Sequence, residues 1–484
     1  MLKHSAVKYL LIILVASIMI VFTDASAAIV FSKVNSPYYI IDEFIVDEGD
    51  TLIIEQGVTV IISENVNIRV MGVLLVYGAY DDPVFFNPVT DTIGWGIIDI
   101  NSPGSQSIIS NAIVTDGRII THDVNMSINN VDFVNRQSLN WDGAIVRVLG
   151  GAANITQCSV TGSGSGEGFL IHNIDNVLVT QCSFFNIPDA VEFINVNNGV
   201  IRQNVFSDMP DDAIDLNNCS NVVIDSNIIT NAEDRGMEIG SENFGSSENI
   251  KVNRNLIIGC NEGVIFKENS YGSLSNNTFY KNNIAVSSIE SQNNKTGSSV
   301  VIQNSIFSQS VDADFYFDDV STIGVEYSLS DKELPDGINN LLDNPLFVDP
   351  EENDFSLLDD SPCIDVGDPQ SPFDPDNTIS DMGAFYFNSD TSSIFENELL
   401  SITAYPNPFR EKFYITYQLR SENTITLTLF DIAGAEIYST INKLQSSGYH
   451  TIEIDISEYI YVGPVVCKFF VGENSREFIM LVHD

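Results

Sequence analysis

A nine-residue phrase recurs along the middle of the chain and limits what it can fold into more than any other feature. It reads NVLVTQCSF from Asn176, NGVIRQNVF from Asn198, NVVIDSNII from Asn221 and NIKVNRNLI from Asn249. Each copy has apolar residues at alternate positions, then Asn or Cys, then another apolar residue, which is typical of two short strands joined by a bend. One copy cannot bury its apolar face alone, but stacked copies form a continuous core. The repeat therefore predicts a solenoid.

Aligning these and weaker copies on the seventh position gives a column of Asn and Cys residues. The column is Asn111, Asn130, Cys158, Cys182, Asn204, Asn227, Asn255, Asn277 and Asn304. Coils of a parallel solenoid lie about 4.8 Å apart, so we expect the Asn side chains to stack and to satisfy backbone groups at the bend. The six cysteines are predicted to be mostly buried, unpaired thiols, although neighbouring coils bring Cys158 and Cys182 close enough for a disulfide.

The repeats resemble right-handed parallel β-helices, the fold of pectate-lyase-like and polygalacturonase-like proteins. The resemblance implies an all-β, right-handed parallel β-helix over residues 28–310. Residues 311–390 are rich in Pro, Asp and Gly, and DNPLFVDPEENDFSLLDDSPCIDVGDP from Asp343 is similar to the closing segment of many bacterial surface β-helices. We expect this segment to be extended and rich in turns, and to cover the open end of the solenoid.

The N-terminus is typical of a secretory signal peptide over residues 1–27. Lys3 and Lys8 precede an apolar run at residues 9–22, and Ala25-Ser26-Ala27 follows it. The run is short for a membrane span, and no later segment approaches that length. We therefore expect an exported protein with no transmembrane span once the peptide is removed.

A polar linker at residues 391–397 leads into alternating strand patterns over residues 398–484, which predict a small immunoglobulin-like β-sandwich. This part resembles the C-terminal sorting domain of the type IX secretion system, since YPNPF at Tyr405, LFDIAGAEI from Leu429, the Gly448 hairpin and the final REFIML all match. The resemblance implies the type IX machinery as a partner and a secreted or outer-membrane, cell-surface location in a Bacteroidetes-like bacterium. A generic immunoglobulin-like adhesion module is the alternative.

Acidic residues outnumber basic ones by 66 to 21, which gives a formal charge of −45. Nucleic acid is excluded as a partner because its binding needs a basic face. The charge either keeps an exported protein soluble or serves to bind cations. Asp374, Asp376 and Asp381 could offer oxygens to calcium, or could form ordinary Asx turns. No other cofactor is predicted.

Carboxylates recur at fixed places in three successive coils. Alternation along the strands sends Glu192, Asp215 and Glu238 outward, where they are predicted to stack. The turn before each of these strands carries further carboxylates, namely Asp189, the pair Asp211 and Asp212, and Asp234 beside Arg235. A further outward column is predicted to contain Arg147, His172, Ile194, Asn217, Gly240 and Lys267.

Stacked carboxylates repel one another, and three explanations for keeping them remain open. The face is solvated and tolerates repulsion in water, or calcium neutralises it, or it is a catalytic cleft in which crowding raises pKa values. Taken alone, His172 and Lys267 are typical of exposed surface residues.

The catalytic explanation gains from a resemblance to the polygalacturonase family of glycoside hydrolases. The family's Asn-Thr-Asp, Asp-Asp, Gly-His-Gly and Arg-Ile-Lys motifs are matched in order by NIPD ending at Asp189, by DD at Asp211 and Asp212, by DRGMEIGS, and by IFK ending at Lys267. The three acidic positions and the lysine carry over. Arg235 stands where the family has histidine, and an isoleucine replaces its arginine.

These features predict a secreted or cell-surface protein that acts on or binds polysaccharide through an acidic groove. In a hydrolase, Asp189, Asp211 and Asp212 would supply acid–base chemistry, and Arg235 would hold one carboxylate ionised. A lyase or epimerase would use Lys267 or His172 as the base, with a cation on the Glu192, Asp215 and Glu238 ladder. A non-catalytic structural or adhesive protein with a solvated acidic face is the alternative, so the residues leave open whether the protein is an enzyme.

Overall fold

The computed structural model describes residues 27–387 and 399–481. Gaps within these ranges fall at residues 80–81, 91–92, 138, 140–142, 242–244, 292–295, 406–411, 420–421, 432–435, 440–442, 447, 456–463 and 473. The predicted signal peptide up to residue 26, the linker at 391–397 and residues 406–409 of the YPNPF motif lie outside the described residues, so their predictions stay untested.

Residues 28–342 form a solenoid of parallel strands with three ladders. The first ladder consists of Ala28–Phe31, Thr51–Glu55, Val73–Tyr77, the first halves of Gln106–Thr115 and Asn125–Val134, Ala152–Thr156, Asp175–Thr180, Asn197–Arg202, Val223–Asp225, Glu248–Asn253, Tyr271–Ser275, Ser299–Gln303 and Thr322–Glu326. The second consists of Tyr38–Ile40, Thr59–Ile62, Val84–Pro88, the second halves of Gln106–Thr115 and Asn125–Val134, Ser159–Thr161, Ser183–Phe185, Val205–Ser207, Ile228–Thr230, Leu256–Ile258, Thr278–Tyr280, Ile306–Ser308, Leu329–Ser330 and Leu341–Leu342. The third consists of Phe44–Val46, Ile68–Val70, Ile97–Asn101, Arg118–His122, Ala144–Leu149, Glu167–His172, Val191–Ile194, Ile214–Asn217, Arg235–Gly240, Glu262–Lys267, Ile284–Ile289 and Ala313–Phe317.

The predicted solenoid is confirmed, with about 13 turns. Inward residues of all three ladders form one continuous apolar core. Identical side chains stack from coil to coil inside it, as where the rings of Phe184 and Phe206 lie 4.9 Å apart and nearly parallel. The parallel ladders continue past the predicted end at residue 310 as far as Leu341–Leu342, because the last coils keep the apolar alternation while losing the Asn of the repeat.

A buried Asn ladder runs along the bend between the first and second ladders. The Asn204 backbone N–H donates to the Asn227 side-chain oxygen at 2.9 Å, and the Asn227 N–H donates in the same way to Asn255 at 2.9 Å. This confirms the predicted stack at these positions. The placement of three other members is wrong: Asn111, Asn130 and Asn304 lie one residue earlier, at the positive φ of the bend itself. Ser305 takes the ladder position next to Asn277.

The Asp- and Pro-rich segment packs along the side of the solenoid. Phe347, Phe355 and Met382 form an apolar cluster with the outward Leu256 and Tyr280 of the second ladder. The segment contains a strand pair, Phe347–Asp349 with Asp354–Leu357, and the short 3₁₀ helix Pro350–Glu352. The other 3₁₀ helix of the described residues, Lys33–Asn35, lies near the first coil. The segment therefore covers a flank of the solenoid, where outward apolar residues need cover. That it also covers the open end stays a prediction.

The C-terminal region contains two antiparallel sheets. One is formed by Leu399–Tyr405, Lys412–Leu419 and Gly448–Asp455, and the other by Asn423–Asp431, Glu436–Ser439, Lys443–Gln445, Pro464–Val471 and Asn474–Leu481. Residues of both sheets share one apolar core, in which the rings of Tyr417 and Phe469 lie 4.9 Å apart. This confirms the predicted small β-sandwich. Among the described residues no helix is long and apolar enough to cross a membrane.

Candidate active site on the third ladder

The outer face of the third ladder carries three columns of side chains. The leading column, at the start of the strands, contains Glu167, Asp189, Asp212, Arg235 and Glu262. The middle column contains Arg147, Leu170, Glu192, Asp215, Glu238 and Ile265. The trailing column contains Leu149, His172, Ile194, Asn217, Gly240 and Lys267. The stack of Glu192, Asp215 and Glu238 is confirmed, whereas Arg147 belongs to the middle column and not to the trailing one.

Small residues allow the chain to approach itself closely behind the leading column. Each of Ala190, Ala213 and Gly236 follows directly after a leading-column residue. A Cβ on Gly236 would lie only 2.5 Å from the neighbouring coil's backbone oxygen, so no larger side chain fits there without a shift. The backbone N–H of Ala190 donates to the Asp212 carbonyl at 3.3 Å, and that of Ala213 donates to the Arg235 carbonyl at 3.0 Å. These bonds stack the charged side chains in register.

Arg235 lies at the centre of the acidic residues and pairs with several of them. Its Nη1 lies 2.7 Å from Asp234 and 2.7 Å from Glu238, but 3.6 Å from Asp212. Its Nε lies 3.5 Å from Glu262 on the next coil. One guanidinium therefore links three coils, and its shortest contacts are not with Asp212.

Three carboxyl groups in the turns before these strands have raised pKa values. Burial, helped by the charge of Asp211, raises the pKa of Asp189 to about 7. Burial, helped by Glu238, raises the pKa of Asp212 to about 9, and Arg235 only partly offsets it. Burial also raises the pKa of Asp211, which is the most exposed of the three. The predicted rise is confirmed, but its main cause is loss of water and not crowding of charges.

Asp189 lies at a bend of its coil, where its φ is 40°. Positive φ recurs at bends throughout this solenoid, as at Asp116 with 52° before the strand Arg118–His122. Asp212 is 4% exposed and its Oδ1 accepts the backbone N–H of Arg235 at 2.9 Å. We call Asp189, Asp211, Asp212, Asp234, Arg235 and Glu238 the acidic site.

The remaining predicted residues divide between this site and other places. Lys267 forms an ion pair with Glu238, so it lies beside the acidic site. Asp215 is the neighbour of Glu238 in the middle column, and burial and the charge of Glu238 raise the pKa of Asp215 well above the usual value. His172 is two coils earlier and exchanges a hydrogen bond with Asn195 at 3.3 Å, so it flanks the site.

Two groups of carboxylates bear on the calcium question. Oxygens of Asp211, Asp212 and Asp234 lie within 4.8 Å of one another, the only such group of three among the described residues. Asp376 caps its own turn, accepting the Thr378 backbone N–H at 3.1 Å. Each of the other two candidates, Asp374 and Asp381, also accepts a backbone N–H. Of the three, Asp376 makes the Asx turn that was the alternative, whereas Asp374 and Asp381 hold more distant backbone groups. The calcium prediction for these residues stays a prediction.

Two further residues of the leading column belong to no motif and were missed from sequence. Glu262 contacts Arg235 and accepts a hydrogen bond from the Ser287 hydroxyl at 2.7 Å. Glu167 lies 3.8 Å from Arg147, in the coil before Asp189. Both occupy the leading column, so a correct register of the columns would have revealed them.

Comparisons with known proteins bear on the fold. Residues 116–265 match the family of right-handed β-helix regions, and residues 403–461 match the secretion system C-terminal sorting domain. No curated protein matches the chain in sequence.

Similar solved structures include three polysaccharide-related proteins. The periplasmic alginate epimerase AlgG is 12% identical over 58% of this chain and 77% of its own, with a TM-score of 0.40. A tailspike protein of E. coli bacteriophage HK620 is 9% identical over 88% of this chain and 86% of its own, with a TM-score of 0.37. Endopolygalacturonase I from Stereum purpureum is 13% identical over 62% of this chain and 95% of its own, with a TM-score of 0.29. At such identity the similarity concerns coil architecture alone.

The fold and the sorting domain together define the class of protein. The three parallel ladders agree with the match to right-handed β-helix regions. The sandwich agrees with the match to the sorting domain, which indicates export through the type IX system of Bacteroidetes-like bacteria. The chain is a right-handed parallel β-helix protein that carries a C-terminal type IX sorting domain.

Proposed function

We propose that the protein acts on a polysaccharide laid across the third ladder, using the acidic site for acid–base chemistry. The observation that carries the proposal is the pKa of Asp189, which burial raises to about 7. A group that exchanges protons near neutral pH is suited to be a general acid or base. The order of acidic motifs that resembles polygalacturonases supports polysaccharide as the substrate class. The protein itself works outside the cell, either released or held at the cell surface.

Within this proposal the three aspartates have different tasks. Asp189 donates a proton to the leaving oxygen, and the exposed Asp211 serves as the base that activates water. Asp212, whose pKa burial raises to about 9, stays protonated at neutral pH and adds no charge to the crowded site. Arg235 neutralises Asp234 and Glu238.

The spacing of the carboxyl groups favours Asp189 and Asp211 as the working pair. Asp211 and Asp212 have oxygens within 4.8 Å of each other, which is closer than the roughly 6.5–9.5 Å that an inverting hydrolase needs for a water. Asp189 lies one coil away from Asp211, and a step of about 4.8 Å along the solenoid plus a lateral step across the turn reaches that range.

Calcium offers a variant of the same proposal. Asp211, Asp212 and Asp234 would hold the ion, and Asp212 would lose its proton when the ion binds, because carboxylate oxygens are the ligands calcium prefers. The ion would supply positive charge to a substrate carboxylate or hydroxyl. Lys267, paired with Glu238, would then be the base of a lyase or epimerase, and His172 flanks the site as the other candidate.

A test compares matched asparagine variants of the exported protein on plant and algal polysaccharides, with and without calcium. Asp189→Asn and Asp211→Asn should each lower the rate of bond cleavage by about 10²- to 10⁴-fold, the usual contribution of a general acid or base. Asp225→Asn, on the outside of the first ladder, is the control and should keep full activity. Equal turnover in all three variants would contradict the proposal.

One observation favours a non-catalytic structural or adhesive role instead. Arg235, Glu238, Glu262 and Lys267 form ion pairs across successive coils, which would also stiffen a stalk. On this view no polysaccharide of the panel is cleaved. Glycan binding is then unchanged in Asp189→Asn.

A further inference from the structure

Two adjacent steps of the Asn ladder are cysteines. The Cys158 backbone N–H donates to the Cys182 sulfur at 3.4 Å. In the next coil the acceptor is an Asn side chain instead, since the Cys182 N–H donates to Asn204 Oδ1 at 2.9 Å. The strands on both sides are in register, since Ile155 pairs with Val179 and Ser159 with Ser183. No other pair of cysteines takes neighbouring ladder positions in the described residues.

The geometry of neighbouring coils suits a covalent link. In-register strands of adjacent coils lie about 4.8 Å apart, within the usual Cα–Cα range of about 4.4–6.8 Å for a disulfide, and a small shift of the bend brings the two Cβ atoms within the required distance of about 4.5 Å. The reduced thiols donate only weak bonds, to the carbonyls of Thr156 and Thr180 at 3.3 Å each. Losing those two S–H donors on oxidation costs the ladder little.

We propose that Cys158 and Cys182 form a disulfide when the chain folds in an oxidising compartment. The sorting domain indicates export, and exported proteins pass through compartments that favour disulfides. One cysteine thiolate attacks the disulfide of a dithiol–disulfide oxidant to give a mixed disulfide, and the second thiolate displaces the oxidant. Two cysteine protons are released, and the oxidant's two sulfurs leave as thiols. The product is a closed ring of residues 158–182, one full coil that contains the strand Glu167–His172.

Burial fixes when this reaction can occur. Cys158 is 1% exposed and Cys182 is not exposed at all, so a protein oxidant cannot reach either sulfur after the coils have stacked. Burial also raises the pKa of Cys158 well above the usual value, which removes the reactive thiolate. Oxidation therefore precedes the stacking of this coil, and a chain that folds first stays reduced.

The experiment counts free thiols in the full chain by alkylation in denaturant followed by mass spectrometry. The chain has six cysteines. Protein exported by the bacterium, or refolded with oxidised and reduced glutathione, should have four free thiols and a peptide linking Cys158 to Cys182. Protein folded under reducing conditions and then exposed to oxidised glutathione should keep all six.

Two variants separate this pair from the other cysteines. Cys182→Ala should have five free thiols under every condition, and Cys219→Ala, a buried cysteine outside the pair, should still form the link and have three. The linked form should also unfold at a higher urea concentration than the reduced form, because the ring restricts the unfolded chain. Six free thiols after both export and oxidative refolding, or a link between other cysteines in their place, would overturn the proposal.

Discussion

Replacing Asp212 by Asn should remove a pH dependence of stability that the acidic site creates. Burial raises the pKa of Asp212 from an unfolded value near 3.8 to about 9. The folded protein therefore binds a proton that the unfolded chain releases. The contribution of Asp212 to the free energy of unfolding is fully present below about pH 4 and is lost as pH rises toward about 9. An ordinary ion-paired aspartate shows the opposite dependence.

The magnitude follows from linkage. Each pH unit in that window changes the free energy of unfolding by about 1.4 kcal/mol for one proton. Between the unfolded pKa and pH 7 the total is about 4 kcal/mol. Asparagine keeps the shape and the Oδ1 atom that accepts the backbone N–H of Arg235. Its NH₂ group replaces Oδ2 and faces the Arg235 guanidinium, which costs about 1 kcal/mol. The variant should therefore be more stable than wild type by about 3 kcal/mol at pH 7.

The assay is urea unfolding of both proteins at several pH values between about 4 and about 8. The wild-type curve should fall more steeply with pH than that of Asp212→Asn, by about 1.4 kcal/mol per unit. Asp225→Asn, outside the site, should keep the wild-type slope. Parallel curves for wild type and Asp212→Asn would refute the reasoning, because they would mean that Arg235 holds Asp212 ionised.

Further outcomes follow from the same structure. Asn227→Ala removes hydrogen bonds to Asn204, Asn255 and the Ile201 carbonyl from the buried ladder and should cost about 3–5 kcal/mol in urea unfolding. Asn253→Ala, on the outer surface, is its control, and equal losses would contradict the role of the ladder. Arg235→Gln should lower the thermal midpoint at pH 7, because Asp234 and Glu238 lose their ion-pair partner; an unchanged midpoint would count against the ion pairs. Deleting residues 398–484 should leave a folded β-helix inside the periplasm, as cell fractionation will report, and normal surface delivery would refute the assignment.

The repeat made the solenoid predictable, but it could not fix every register. Asn111, Asn130 and Asn304 were assigned to the ladder because both the bend residue and the ladder residue after it favour polar side chains. Turns between strands vary in length, so the predicted register placed Arg147 in the trailing column and not in the middle one. Where the ladder pattern was strongest, as at Asn204, the prediction was confirmed.

The acidic site was predictable as a set of residues, but not in its electrostatics. Alternation and coil spacing were enough to stack Glu192 with Asp215, because both depend only on strand geometry. The protonation of Asp212 depends on how much water its neighbours exclude, and the sequence does not reveal that. The same holds for Arg235, whose shortest contacts depend on side-chain positions in three coils.

The pH dependence of polysaccharide cleavage tests the central claim most directly. With the substrate that the panel identifies, cleavage by wild type should change steeply near pH 7, where burial has placed the pKa of Asp189. Asp189→Asn should abolish that step, and Asp225→Asn should retain it. A polysaccharide that binds the acidic site with no bond broken at any pH from about 5 to about 9 would contradict the claim that this face is catalytic.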